Sequence, residues 1–515
     1  MAERLFDECA IVLRVGDDVA VLKRTIKAGD ELRGGPQPLR AQQTIGAGHK
    51  IALRDIEEGR AILKYGQTIG FASCTIHAGD HVHTHNVVMR DFGRDYAFCA
   101  DAKPVEYQRE LRTFDGFARP GGRVGTRNYL AVISSVNCSA SVSHYVRDHF
   151  RTADFRRDFP NVDGVIAFTH KAGCAMDPGE PQRVLQRVLA GIARHPNISG
   201  YVMIGLGCEV NQVDAVRQAY KLDELQPRES APVFMNIQAK GGVRKTVEAG
   251  VAAVLRLLPE ADALRRTPQP LGKLILAENC GGSDGNSGIT ANPALGVASD
   301  ELVRCGGTSV LAETPEIYGA EHLLTRRAVT REVGEKLVDL IRWWENHAKQ
   351  HGASIDNNPS HGNKEGGLTN IYEKSLGAVA KGGQSPLAAV YQYAEPITTP
   401  GFCFMDTPGY DPVSMTGLVA GGCNIGVFTT GRGSVYGCKP APCLKVATNT
   451  PLFQHMEEDM DINAGTILDG TETVEQVGRR IFEKIVAVAS GERTKSELAG
   501  LGDEEFAPWQ LGPTF

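Results

Sequence analysis

His81, His83 and His85 alternate within the stretch DHVHTHNV, residues 80–87. On an extended strand, residues i, i+2 and i+4 share one face, so three imidazoles at this spacing would stand side by side. Such a set can ligate a metal, grip an anionic substrate or exchange protons near neutral pH. On a bare solvated edge each added proton would repel the others, which argues for a site rather than a polar rim. His81 is read as a metal ligand, and His83 and His85 as catalytic groups.

More reactive side chains follow apolar runs. SSVNCSAS carries Asn137 and Cys138, FTHKAGC carries His170 and Cys174, and GLGCEVNQ carries Cys208 and Glu209. Further on, NCGGSDGNSG carries Cys280, Ser283, Asp284 and Asn286, and AETPEIYG carries Glu313 and Glu316. In open α/β sheets ligands bind beyond the carboxyl ends of the strands, which is where these residues would lie. Small and hydrogen-bonding residues after Cys280 bring backbone N–H groups close to an anion. SHGNKEGG offers Asn363 and Lys364 in a polar loop, and TTGRGSVYG places Arg432 between glycines, where it can hold a carboxylate bidentately. Ser283, Asp284, Asn286, Asn363 and Arg432 are read as substrate-binding. Cys280, Glu313 and Asp284 join His81 as candidate metal ligands, and His170 and Lys364 join the candidate acids and bases. Cysteines at four strand ends raise an iron–sulfur cluster, which is disfavoured because cysteine is among the most buried residue types.

These residues need elements to hold them. The first ninety residues alternate short β-branched runs with Gly-Asp turns, such as VAVLKRTIKAGD and HKIALRDIEEG, and read as a small all-β domain over 1–90. Residues 91–118 show no sustained period and read as a linker. Apolar strands alternating with helices then form an α/β body, divided into a middle domain over 119–268 and a C-terminal domain over 269–515. Two helices are plain. One covers residues 332–347, with Val333, Leu337, Leu340, Ile341 and Trp344 on one face; the other covers 474–490, opened by a Thr473/Gln476 capping box and closed by Gly491.

With 515 residues, 42% apolar and a formal charge of −6, the chain lacks the basic excess of a nucleic-acid binder. No apolar stretch of about 18 residues suggests a membrane span, and no secretory leader is visible, so a cytoplasmic enzyme with reduced thiols is expected. No Walker motif or G-x-G-x-x-G follows a strand, so no nucleotide is required.

Long motifs, GFARPGGRVGTRNYL, IGLGCEVNQ, CGGSDGNSGITANPALGVASD, NKEGGLTNIYEKSLG, FTTGRGSVYG and DMDINAGTILDG, together resemble the altronate/galactarate dehydratase family. GHKIALRDIEEG with AGDHVHTHNV is similar to its N-terminal SAF, or β-clip, domain. The resemblance implies a middle domain used in homodimerisation, a Rossmann-like parallel sheet with a metal site in the C-terminal domain, and iron-supported loss of water from a sugar acid, with manganese as the alternative metal. The histidine alternation and ETPEIYGAEHLL look like the altronate branch. That implies conversion of D-altronate to 2-keto-3-deoxy-D-gluconate, with galactarate or another aldonate, and a sulfolactate-type lyase reaction, as alternatives. A sugar-acid sensor without catalysis is the reading from a different class.

Overall fold

The computed structural model describes residues 2–225, 231–512 and 514. The N-terminal module is all-β, as its alternating runs require. Its turns repeat one mould: TIKAGD at 25–30, TIGAGH at 44–49, DIEEGR at 55–60 and TIHAGD at 75–80. In each the isoleucine is buried, and Ile26 bridges Ile45 as Ile56 bridges Ile76. In each the glycine has positive φ: 82° at Gly29, 80° at Gly48, 82° at Gly59 and 90° at Gly79. A side chain at Gly79 would also sit 2.0 Å from the Arg40 carbonyl oxygen. In two copies the last residue is an aspartate that fastens the turn. Asp30 accepts from the Lys27 N–H at 3.1 Å and Asp80 from the His77 N–H at 2.7 Å.

Strand β1 (Lys50–Ala52) pairs antiparallel with β2 (His81–Val82). The strand expected through 80–87 stops at Val82. His83 opens a turn in which the Asn86 and Val87 N–H groups both donate to the His83 carbonyl at 3.0 Å, while Asn86 Oδ1 accepts from the His83 N–H at 2.9 Å. An asparagine able to bond its own backbone outcompetes the ladder here.

Residues 91–112 carry no regular element, but Thr113–Ala118, inside the stretch read as linker, is a strand. It pairs antiparallel with Thr267–Pro270, and so clasps both ends of the middle domain together. The middle domain holds a four-stranded parallel sheet of β3 (Tyr129–Ser134), β4 (Gly164–Phe168), β5 (Ile198–Gly205) and β6 (Val233–Asn236), in the order β4-β3-β5-β6. The C-terminal domain holds seven parallel strands: β7 (Ile275–Cys280), β8 (Thr308–Leu311), β9 (Leu387–Tyr391), β10 (Gly401–Met405), β11 (Ile425–Thr430), β12 (Cys443–Ala447) and β13 (Ile462–Asn463). Their order is β9-β10-β8-β7-β11-β12-β13. The chain builds β8, the edge strand β9 and then β10 between them on one side of β7, and returns to build the other side from β11, so the switch point lies between β7 and β11. Residues of the central strands are buried, as their Val/Ile/Leu runs predict. The two predicted helices span Arg331–Gln350 and Val474–Ala489, the second with its Thr473/Gln476 capping box in place.

The small domain is docked on the C-terminal domain, and one apolar cluster runs through both, from Ile56, Ile69 and Ile76 to Leu311, Ile317 and Phe404. A fully buried charge triad pins the contact. Glu373 takes Lys50 at 2.9 Å on one carboxylate oxygen and Lys64 at 2.8 Å on the other, and Lys50 also donates to the Gly367 carbonyl at 2.6 Å. Burial alone would raise the Glu373 carboxyl, but the two lysines outweigh it and hold it far below the usual range.

Candidate active site

Despite the turn, the three histidines gather, and a fourth joins them. His81 and His83 stack with ring centres 5.1 Å apart, His85 lies 5.5 Å from His81, and His49 sits 5.0 Å from both His81 and His83. His49 Nδ1 is 3.0 Å from His81 Nε2, and its Nε2 is 3.0 Å from the Glu365 carbonyl oxygen. The Glu365 carbonyl can only accept, so His49 Nε2 carries the proton and Nδ1 keeps its lone pair. Burial, and then the neighbouring cationic and imidazole groups, push His81 down to about 3 and His83 to about 4. The rings of His49, His81 and His83 offer nitrogens within 4.8 Å of one another. His83 Nδ1 is buried without a hydrogen-bond partner.

Facing this cluster is the switch-point crevice of the C-terminal sheet. The backbone N–H groups of Gly431 and Arg432, after β11, both donate to the Gly282 carbonyl, after β7. A side chain at Gly48 would lie 3.1 Å from the Gly366 carbonyl oxygen and 3.5 Å from Asn286 Nδ2, so small-domain and crevice loops are close-packed beside His49. Asp284 is the hub. It accepts from Ser287 Oγ at 3.0 Å, from Thr448 Oγ1 at 3.0 Å to each oxygen, and from the Asn286 N–H at 3.1 Å. With its lone pairs committed, Asp284 fixes the loop, and among the described residues it lies outside both groups able to hold an ion. Asn363 donates to the Ser283 carbonyl at 2.8 Å. The loop expected at 360–366 is a short helix, His361–Glu365, because Ser360 and Asn363 form a capping box. That helix carries Lys364 between Asn363 and Glu365. Arg432 stands 3.6 Å from the Glu365 carboxylate. Ser283 Oγ and Asn286 Oδ1 are buried and unpartnered.

Cys280 and Glu313 form a second group with Glu316, fully buried. Two lysines absent from the sequence reading neutralise it. Lys381 donates to Cys280 Sγ at 3.0 Å and to Glu313 at 2.9 Å, and Lys374 pairs with Glu316 at 2.6 Å. Asn279, oriented to donate, bonds both Glu313 oxygens at 3.0 and 2.7 Å. Burial pushes the Cys280 thiol up to about 12 and, with Glu316 beside it, pushes Glu313 up as well. Glu313 has φ 69°, a strained backbone for a residue with a side chain, held where the strand end turns back over the site.

The candidate metal ligands thus fall into two groups, with His81 in one and Cys280 and Glu313 in the other. His170 is elsewhere, buried in the middle domain. Its Nε2 bonds the Ser134 carbonyl at 2.9 Å and its Nδ1 accepts from the Ala172 N–H at 3.2 Å, so both ring nitrogens are engaged by backbone. His49 had a signal in the sequence, since it replaces the aspartate of Asp30 and Asp80 in the repeated turn. Lys374 and Lys381 had none, because charged helix residues ordinarily read as solvated.

Comparison with known proteins agrees with this architecture. Residues 8–90 match the altronate/galactarate dehydratase SAF domain, 116–262 the second domain of D-galactarate dehydratase/altronate hydrolase, and 271–514 the C-terminal domain of D-galactarate/altronate dehydratase. The chain is 36% identical over 500 residues to the altronate dehydratase of Bacillus subtilis, covering 97% of this chain and 98% of that one. It is 36% identical over 482 residues to the altronate dehydratase of Escherichia coli, covering 93% and 95%. It is 39% identical over 498 residues to the galactarate dehydratase (L-threo-forming) of Escherichia coli, covering 95% and 94%. Among the described residues no helix is long and apolar enough to cross a membrane. With its SAF domain, second domain and parallel C-terminal sheet all matched, the chain belongs to the D-galactarate/altronate dehydratase family of sugar-acid hydro-lyases.

Proposed function

We propose that the chain dehydrates a hexonate, D-altronate first, to 2-keto-3-deoxy-D-gluconate, with a divalent transition metal held by His49, His81 and His83. One observation carries this reading: His83 Nδ1 in the histidine cluster, and Ser283 Oγ and Asn286 Oδ1 in the loop after β7, are all buried without hydrogen-bond partners. A buried polar group normally finds a partner, and a polyhydroxylated anion supplies several at once. Neutral imidazoles suit iron(II), with manganese second. When bound, the ion supplies positive charge beside the substrate carboxylate as the C2 proton leaves.

The chain's own groups do the rest. Arg432 takes the carboxylate in place of Glu365, and Ser283 and Asn286 orient hydroxyls. His85, exposed at the edge of the cluster, takes the C2 proton. Lys364 donates a proton as the C3–O bond breaks, so the hydroxyl leaves as water and the enol becomes the 2-keto acid.

The test is anaerobic incubation of the purified chain with ferrous iron and a panel of D-altronate, galactarate and other aldonates, following 2-keto acid. Altronate should turn over fastest. Turnover of galactarate with none of altronate would reject the substrate assignment, and binding of sugar acids without any keto acid would make the site a sensor.

A further inference from the structure

Four carboxylates follow the ends of β8 and β10, beside the end of β7: Glu313, Glu316, Asp406 and Asp411. Three are spent on partners. Glu313 pairs with Lys381 at 2.9 Å, and Glu316 pairs with Lys374 and accepts from the Asn358 amide at 2.7 Å. Asp406 accepts from Trp344 Nε1 at 2.8 Å and from Thr314 Oγ1. Asp411 differs from all three. Among the described residues its carboxylate receives no hydrogen bond and forms no ion pair. It opens the helix Asp411–Gly421 and is half-buried, and Tyr410 before it is exposed, so it is not sealed from solvent as Glu313 and Glu316 are.

Its position ties it to the crevice. A side chain at Gly281 would lie 2.4 Å from Asp411 Oδ2, so the carboxylate rests on the backbone of the loop after β7. A side chain at the next residue, Gly282, would lie 3.4 Å from Arg432 Cβ, and after it comes Ser283, whose buried Oγ has no partner. Asp411, Arg432 and Ser283 thus crowd three successive residues of one loop. Burial, and then the charge of Glu316, push the Asp411 carboxyl up to about 7, with Lys374 and Lys381 pulling it back only in part. A carboxyl so placed can hold a proton near neutrality and give it up again, which is what acid catalysis asks of it.

Dehydration leaves one proton transfer without a donor. Loss of the C2 proton and the C3 hydroxyl gives an enol across C2 and C3, and that enol must take a proton on C3 to become the keto acid. We propose that Asp411 is a further catalytic residue, resting on the dehydration proposed above, that delivers this proton to one face of C3. The C2–C3 π pair forms the new C3–H bond as the Asp411 O–H bond breaks. The C2 hydroxyl proton leaves to water as the carbonyl forms, and the Asp411 carboxylate regains a proton from water. His85 and Lys364 act on the C2 proton and the C3 hydroxyl, so each of the three groups has its own proton to move.

The full chain in D2O, supplied with ferrous iron and D-altronate, tests this by NMR of the product. The wild-type chain should place one deuterium on C3 in a single configuration. Given 2-keto-3-deoxy-D-gluconate alone, it should also wash deuterium into one of the two C3 positions, the same proton transfer run in reverse. D411N should slow that wash-in at least ~100-fold. Any product D411N does form should carry deuterium in both configurations, because its enol ketonises in solvent. Circular dichroism checks that the variant is folded, and D411A stands in for D411N if the amide is not. Wash-in by D411N within a few-fold of wild type, or deuterium already scrambled at C3 in the wild-type product, would overturn the proposal. A wild-type chain that turns over no sugar acid fails the dehydration reading, and the Asp411 assignment with it, before any variant is compared.

Discussion

Replacing Glu373 with glutamine should loosen the small domain from the body. In the native chain Lys50, Lys64 and Glu373 are fully buried and share two short contacts of 2.9 and 2.8 Å. E373Q keeps the shape but leaves two ammonium groups facing each other without water, and breaking a buried pair in this way costs about 3–5 kcal/mol. At about 1.4 kcal/mol per decade, even the lower figure multiplies the local opening constant by over ~100. The assay is hydrogen exchange over residues 48–52 and 362–373, with proteolysis of the 91–112 segment as a second readout. Exchange there should accelerate while the middle domain keeps its protection. Burial pushes Lys50 down to about 8 even with the Glu373 charge holding it up, so in the variant Lys50 falls further and gives up its proton first. The defect should therefore be worst in acid and ease as pH rises. A triple variant with Lys50 and Lys64 as methionine and Glu373 as leucine should recover most of the docking, since apolar replacement of a buried triad is often neutral. Native-like exchange in E373Q, or a triple variant as loose as E373Q, would refute the claim that the pairing pins the domain.

Replacing His83 or His49 with alanine should cut turnover at least ~100-fold and lower bound metal, whereas H85A should cut turnover with metal content unchanged; metal analysis beside steady-state kinetics distinguishes them. Exhaustive chelation should abolish keto-acid formation, and ferrous iron should restore it. H170A should chiefly cost stability, ~1–3 kcal/mol for the backbone groups left unpaired, and should leave the pH–rate profile of residual activity in place. His195, fully buried, falls from an ordinary 6.5 to about 4, because burial outweighs its bond to the Cys423 carbonyl. The unfolded chain therefore binds the extra proton between those values, and stability drops as pH falls through that window, by about 3 kcal/mol for this residue. Acid unfolding of H195Q should accordingly be shallower there.

Much of this was legible because apolar runs and turn chemistry are local. The strands at 129–134, 275–280 and 425–430 and the two capped helices stand where period and caps place them. The edge strand Leu387–Tyr391 is not legible in the sequence because its Ala-Ala centre carries little strand preference. Helix Ile371–Val379 is buried on every side, so its Glu373 and Lys374, which look like a solvated face, are the charges that tie the site together. The residues of the crevice, Ser283, Asp284, Asn286, Asn363 and Arg432, were found from glycine-rich loops at strand ends. Which of them reach a ligand depends on tertiary bonding. Asp284 is spent on its own loop and on Thr448 after β12, while Ser283 and Asn286 keep free atoms.

The recurrence of one turn in the small domain gives it redundancy. With Asp30 and Asp80 each fastening a copy by the same side-chain bond, a third copy can give up its fastener and keep its backbone, as His49 does where its N–H still donates to the Gly46 carbonyl at 3.2 Å. Duplicated scaffolding of this kind separates the job of folding from the job of chemistry. The module resembles a row of like sockets, two of which do without the aspartate and one of which has His49 wired in its place, and D30H or D80H exchanges offer a direct way to ask how many sockets the fold can spare.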